Sequence, residues 1–300
     1  MDLIKHIIKK IFSKKTINIL RNNFHILKVK STREIFNKAG TSPLFLDKNT
    51  LEQLQKKYSF PPVYGYDQKS IESRGIIRAK EILSLNGANN SSSFLELGCW
   101  DGMVSGVLCE KGKTVTAIDK TNEGIDERAL HKGVKFHQMD ASNLKFEDES
   151  FDFVFSYDSF EHFENPEQVL NEAIRVVKRG GYIFLSFGPL YYSPFGEHAY
   201  YSITVPYCQI LFPKDLLNDF AKQNGLIPID FSHVNGWSLD NYENLWKKYN
   251  NILKILKYDK LYNLEHLNLI RDYPSCFKGK SDNFNNFIVS TIEILFKKVG

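Results

Sequence analysis

From Ser93 onward, short apolar runs alternate with stretches of helical periodicity, and this alternation constrains the fold more than any other feature of the chain. Phe94–Leu97, Thr114–Ile118, Val134–His137, Phe151–Ser156 and Tyr182–Phe187 are short, rich in β-branched and aromatic residues, and predict strands buried on both faces. Between them, Gly102–Lys111, Glu123–Lys132 and Pro166–Lys178 predict helices. Pro166 stands where a first-turn proline belongs, and Gly180-Gly181 predicts the end of that helix. Strand and helix in regular exchange imply an α/β fold, a doubly wound and mostly parallel sheet with helices on both faces. Pro213–Asn224 predicts a further helix, and Leu226–Asn235 and Asn286–Phe296 the last two of seven strands. Residues 238–282 are then an insertion before the last strand, helical through Asn241–Tyr258.

This places a domain at residues 71–300 and an arm at residues 1–70. The arm carries the charge. Up to Arg33 the chain holds nine Lys or Arg against Asp2 alone, a net +8, so the rest contributes −4 to the overall +4. Leu3, Ile4, Ile7, Ile8, Ile11 and Phe12 recur at helical spacing opposite Lys5, Lys9 and Lys10, and a weaker stripe continues through Ile17, Leu20, Phe24 and Leu27. Such a basic amphipathic helix either lies in an anionic membrane surface or packs its apolar stripe on the domain. The mildly acidic body argues against nucleic acid as a partner.

Four scattered cysteines, Cys99, Cys109, Cys208 and Cys276, make neither a disulfide framework nor a zinc-binding pair. With no apolar run long enough to span a bilayer and no secretory signal pattern, the expected location is cytoplasmic, with peripheral contact at the membrane's inner face as the arm's other option.

The chemistry concentrates where the first strand ends. Phe94-Leu95-Glu96-Leu97-Gly98-Cys99-Trp100-Asp101-Gly102 is an apolar strand carrying an acid, then a glycine turn opening a helix. Glycine lets a ligand approach the backbone, and the helix start offers free N–H groups. Asp119 ends the next strand, where a carboxylate can take both hydroxyls of a ribose. A dinucleotide fingerprint would need glycines where Trp100 and Met103 stand, which disfavours a nicotinamide-dependent oxidoreductase.

The acid-x-Gly-x-x-x-Gly form resembles motif I of the class I S-adenosylmethionine-dependent methyltransferases, whose fold is Rossmann-like. The resemblance extends through Asp119, Met139-Asp140-Ala141, the fourth-strand stretch Phe151–Ser156 with Glu161-His162 beyond it, and Gly180-Gly181-Tyr182, about residues 75–236 in all. It implies S-adenosylmethionine as cofactor, lined by Glu96, Gly98, Trp100, Gly102, Asp119, Lys120, Asp140, Ala141 and Ser156, with Asp119 on the ribose and Asp140 on the adenine amino group. Trp100 departs from the family, which more often has glycine there. The implied reaction is methyl transfer to a small molecule or a glycan- or lipid-linked acceptor, on oxygen. The rival reading within the same fold is an inactive binding or scaffold subunit.

His198 and His162 are the candidate general bases, because imidazole accepts protons near neutral pH and both follow strands at the ligand-binding edge. Each has a bland alternative, His162 as a loop anchor and His198 as a surface residue. Asp158, Glu161 and His162 resemble the metal-binding stretch of certain O-methyltransferases, but no further ligand stands at fixed spacing, so no metal is expected. Leu190–Phe212 contains Tyr191, Tyr192, Phe195, Tyr200, Tyr201, Tyr207 and Phe212. These rings either stack on an acceptor or form the small core of an aromatic lid over residues 190–212.

Overall fold

The computed structural model describes residues 14–63 and 65–300, with side chains from residue 26 onward. The apolar stripe at Leu3–Phe12 lies outside the described residues, as do the side chains of Ile17, Leu20 and Phe24. Among the described residues, seven strands form one sheet in the order β3-β2-β1-β4-β5-β7-β6. Five run parallel: β1 (Ser93–Leu97), β2 (Thr114–Asp119), β3 (Lys135–Gln138), β4 (Phe151–Tyr157) and β5 (Val177–Phe187). β7 (Val289–Lys298) lies antiparallel between β5 and the edge strand β6 (Leu253–Tyr262).

Alternation along the strands sends side chains to opposite faces. Leu95, Leu97, Val154, Ile183 and Leu185 join one core, which includes Val169, Leu170 and Ala173 of helix α6 (Pro166–Val176) and Tyr242 and Trp246 of α9 (Leu239–Lys248). Phe94, Phe153, Phe155 and Phe184 join the other, under α3 (Gln68–Ser84) and α4 (Met103–Glu110). α3 and α4 meet closely at Gly75, where a Cβ would stand 2.6 Å from Met103 Cγ. α6 starts as its sequence dictates: Asn165 caps it by accepting from Gln168 N at 3.2 Å, and Pro166 fills the first turn.

A further core stands beyond the sheet. α1 (Lys14–Lys38) and α2 (Lys48–Lys57) contribute Phe36, Leu51 and Leu54; the segment after β5 contributes Tyr207 and Phe212; and α10 (Leu267–Asp272), α11 (Pro274–Lys278) and α12 (Asn285–Ile288) contribute Leu267, Phe277 and Phe287. Phe36 is fully buried and packs its ring against Phe284 and Phe287. Truncating such a side chain to alanine costs about 3–5 kcal/mol. Gln55 of α2 is bonded to the lid, its Oε1 accepting from Thr204 N at 2.9 Å and its carbonyl from Thr204 Oγ1 at 2.9 Å. Described residues of the arm thus pack on the lid. Ile26 and Leu27 remain exposed beside Lys28.

The structure corrects several boundaries. Residues 226–237 form a loop rather than a strand, because Pro228 lacks an N–H for a ladder and Asp230 closes a turn by accepting from Ser232 N at 2.9 Å. The sixth strand is β6, which begins within the stretch expected to be helical and runs past its end: α9 stops at Lys248, a turn follows at residues 249–252, and Leu253–Tyr262 pairs with β7. Gly180-Gly181 lies within β5 and does not end α6, which gives way to the strand at Val177. The helix expected over Glu123–Lys132 is confined to α5 (Glu127–His131), capped by Asp126.

Candidate functional site

In open α/β sheets, ligands bind outside the carboxyl ends of the strands where the strand order reverses. Here that point lies between β1 and β4. Most of the residues singled out from the sequence converge on it, in two adjoining groups.

The first group is built on β1, β2 and the turn after β3. Gly98 adopts φ +68° and Gly102 φ +66°, values that side chains rarely tolerate. A Cβ on Gly98 would lie 2.7 Å from the Ser159 side chain, so a larger residue strikes the protein's own β4 loop before it meets any ligand. Trp100 N and Thr121 N donate to opposite oxygens of Asp119, at 2.9 and 3.2 Å. The carboxylate is thereby fixed at the strand end, and each oxygen keeps lone pairs for a further donor. Trp100 is half exposed, and its ring covers Gly124, where a Cβ would sit 2.7 Å from Trp100 Cε2. Ser142 donates through both N and Oγ to Asp140, and Lys120 pairs with it at 3.2 Å. Burial pushes the Asp140 carboxyl up, but these partners outweigh it and hold it below its usual range.

Glu96 is almost fully buried and accepts from Ser105 Oγ; burial first, with Asp101 nearby, pushes its carboxyl up to about 8. Gly102 starts α4, and Ala141 is buried in the core beside Asp140. Ser156 is fully buried and donates to the Leu97 carbonyl at 2.8 Å, which ties β4 to β1 and spends its hydroxyl. Two arginines of α3 went unnoticed in the sequence: Arg74 pairs with Asp101 at 2.9 Å, and Arg78 pairs with Asp158 while its guanidinium lies over the Tyr157 ring.

The second group follows β4 and β5. Ser159 donates to the Gly98 carbonyl at 2.8 Å, and His162 lies one turn further on. His162 and His198 are brought together with ring centres 4.9 Å apart, and His233, from the loop misread as a strand, stands 4.4 Å from His162. One ring nitrogen from each lies within 4.8 Å of one from each of the others. Asn235 secures this meeting, because its N–H donates to the Glu161 carbonyl at 2.8 Å and its Nδ2 to that of Phe160 at 3.0 Å. Pro228 and the Asp230-x-Ser232 turn were the available signals that residues 226–237 form a loop; nothing in the spacing pointed to His233.

Burial, then the neighbouring His162 and His233, lowers the His198 imidazole to about 3. Burial likewise lowers His162. Both rings are therefore neutral at working pH, and the expected titration of His198 near neutrality does not hold. Glu161 accepts from Gly188 N at 3.0 Å with one oxygen, the other is buried without a partner, and burial followed by Asp158 raises its carboxyl. A cleft lined by Glu197, His198, Tyr201, Ile227, Asp230 and His233 opens beside the cluster. Of the lid's rings, Tyr207 and Phe212 are fully buried core members, Tyr191 and Tyr192 are partly buried, and Tyr201 is exposed.

Comparison with known proteins bears on the first group and the strands beneath it. Residues 95–185 match the family model described as a methyltransferase domain. A ubiquinone biosynthesis O-methyltransferase of Pseudomonas fluorescens is 34% identical over 98 residues, 31% of this chain and 42% of that protein. One from Coxiella burnetii is 24% identical over 161 residues, 49% of this chain and 68% of that protein. The chain thus spans about two fifths of the length of the first of these relatives. Among solved structures, a protein of Pyrococcus horikoshii shares 20% identity, covering 79% of this chain and 96% of its own, at a TM-score of 0.47. With β1 to β5 and the turns that fix Gly98, Asp119 and Asp140 inside or beside the matched residues, this chain carries a methyltransferase domain of the class I S-adenosylmethionine-dependent type over residues 95–185.

Proposed function

We propose that this protein transfers the methyl group of S-adenosylmethionine to an oxygen of a small molecule or of a glycan- or lipid-linked acceptor. The observation that carries the reading is the adjacency of the two groups: Ser159 binds the Gly98 turn, and three imidazoles gather just beyond it. The residues of the first group fit the cofactor. Asp119 retains two acceptor directions for ribose hydroxyls, Asp140 an acceptor beside a buried apolar wall, and the turn at Gly98 leaves its backbone uncovered by any side chain of its own. The names of the Pseudomonas and Coxiella relatives support transfer to oxygen.

Bound there, the cofactor supplies a methyl group already activated by its sulfonium. The protein's task is then to hold an acceptor oxygen in line with it, which is catalysis by proximity and orientation. His198 and His162 stand on the acceptor side, where a neutral imidazole can accept a hydrogen bond from an acceptor hydroxyl and orient it. The lid's exposed Tyr201 and the cleft beside it provide an apolar seat with polar edges. Ile26 and Leu27, exposed next to Lys28 and Lys30, favour a lipid-linked acceptor met at a membrane surface.

Calorimetry with S-adenosylhomocysteine, followed by transfer of labelled methyl to phenolic, glycan and lipid-linked hydroxyl acceptors, tests the proposal. Binding with turnover on one class supports it. Micromolar NAD binding with none of S-adenosylhomocysteine would overturn it, and cofactor binding with no turnover on any class would favour the scaffold reading.

A further inference from the structure

We infer that His162, His198 and His233 form a binding site for a single divalent transition-metal ion of the zinc class, with one coordination position left open. Two of the three, His198 and His233, lie beyond residues 95–185, so the site is a property of this chain's lid and loop and not of the matched domain.

Four features support the assignment. The three ring nitrogens already converge to within 4.8 Å. Around a tetrahedral zinc with bonds of about 2.0–2.1 Å they would stand roughly 3.4 Å apart, so each ring has only to close by about an ångström. Two rings are oriented as ligands are. His162 Nδ1 lies 2.7 Å from the His233 carbonyl, which makes it the protonated nitrogen and leaves Nε2 a bare lone pair. His198 is hydrogen-bonded to the backbone of Pro189, while its Nε2 is buried with no partner, an arrangement that costs free energy unless something completes it. The third ring lies on the open side, because His233 is exposed on a loop without regular structure, and the docking of Asn235 onto Glu161 and Phe160 keeps that loop in place. Finally, the carboxyl of Glu161, almost fully buried with one oxygen unpartnered, has its other oxygen 4.0 Å from His162 Nε2, beside the position the ion would take.

Three imidazoles choose among metals. Nitrogen donors suit zinc and its neighbours in the first transition row, whereas magnesium and calcium take oxygen. Three protein ligands and one open position is the composition of catalytic rather than structural zinc sites. The site stands on this geometry alone; if the methyl-transfer reading also holds, the histidines act on an acceptor hydroxyl through the ion rather than by taking its proton directly.

The test uses the full chain, stripped of metal and titrated with Zn²⁺ against a chromophoric chelator, with Co²⁺ substitution read by visible absorption. Expected are one tight Zn²⁺ per chain, the intense absorption of four-coordinate Co²⁺, and no displacement by millimolar Mg²⁺. His233→Ala should weaken Zn²⁺ binding at least about tenfold and remove the Co²⁺ band. Because His233 is exposed, that variant keeps the fold, which circular dichroism checks. His131→Ala, on the exposed surface of α5, should leave both readouts unchanged. Equal Zn²⁺ affinity of wild type and His233→Ala, or a six-coordinate Co²⁺ spectrum in the wild type, would overturn the assignment. S-adenosylhomocysteine calorimetry on the same samples reports on the cofactor alone, so failure of the metal site and failure of the methyl-transfer reading are told apart.

Discussion

The two halves of the strand-end crevice handle buried polarity in opposite ways. Around β1 and β2 the carboxylates are engaged: Asp119 by two backbone N–H groups, Asp140 by Ser142 and Lys120, Asp101 by Met103 N and Arg74, Glu96 by Ser105. Past β4 and β5, buried atoms lack partners: Glu161 Oε2, Ser193 Oγ and His198 Nε2. A saturated network holds its shape before a ligand arrives, whereas unsatisfied groups are retained where a ligand or ion completes them. Under the proposed function, the difference separates a half preorganised for a fixed cofactor from a half adapted to the variable part of the chemistry.

The sharpest way to break this comparison is to remove the lid-side histidine. His198→Ala should lower kcat by about 10²-fold, the cost of a misplaced acceptor, while S-adenosylhomocysteine affinity changes less than about twofold. A parallel loss of cofactor affinity would mean that the two halves are one network. Next in size, Asp119→Ala should weaken S-adenosylhomocysteine at least about tenfold, or 1.4 kcal/mol, in calorimetry. It should also loosen the Trp100 turn, because the carboxylate holds that backbone N–H.

The third prediction concerns pH. Glu96 has its carboxyl raised from 4.5 to about 8, so the folded state binds this proton more tightly than the unfolded chain does. Its stabilisation is complete below about pH 4.5 and is lost as pH rises towards 8, the reverse of a salt-bridged carboxylate. Chemical denaturation at pH 5 and pH 8 should show the decline in wild type and a flatter profile in Glu96→Gln. A decline of equal slope in the variant would assign it to other groups. Smallest, Gly98→Ala should cost about 1–2 kcal/mol of stability from its positive φ and its approach to Ser159. Ser159→Gly in the same chain should recover part of that loss, and no recovery would place the strain in the backbone alone.

Much of the first half was legible in the sequence because its logic is local. A strand, a glycine turn and a helix follow one another within ten residues, so Glu96, Gly98 and Gly102 could be placed from spacing, and Asp119 and Asp140 from the strand ends they close. The second half was legible only at His162 and His198. His233 reaches them because Asn235 docks on Glu161 across more than seventy residues of chain, a contact that no periodicity encodes. β6 was missed for a related reason. Its lysine-rich pattern is that of an edge strand with one solvated side, which reads as an amphipathic helix until its pairing with β7 is known. Ser156 shows the converse, since its place in a strand motif was clear but the bond to Leu97 that occupies its hydroxyl was not.

The core joining the arm, the lid and the last helices also sets an order of assembly. Arg33 bonds to Asn285, Tyr58 to Asn268, and Phe36 packs on Phe284, each pair separated by more than two hundred residues. During synthesis, the five parallel strands have all been made once Phe187 is added, whereas the arm must wait for the final fifty residues before it can settle. Contacts of such sequence separation form slowly. The strands beneath the Gly98 turn are therefore complete before the partners of the arm exist, and the core that ties arm, lid and last helices together closes last.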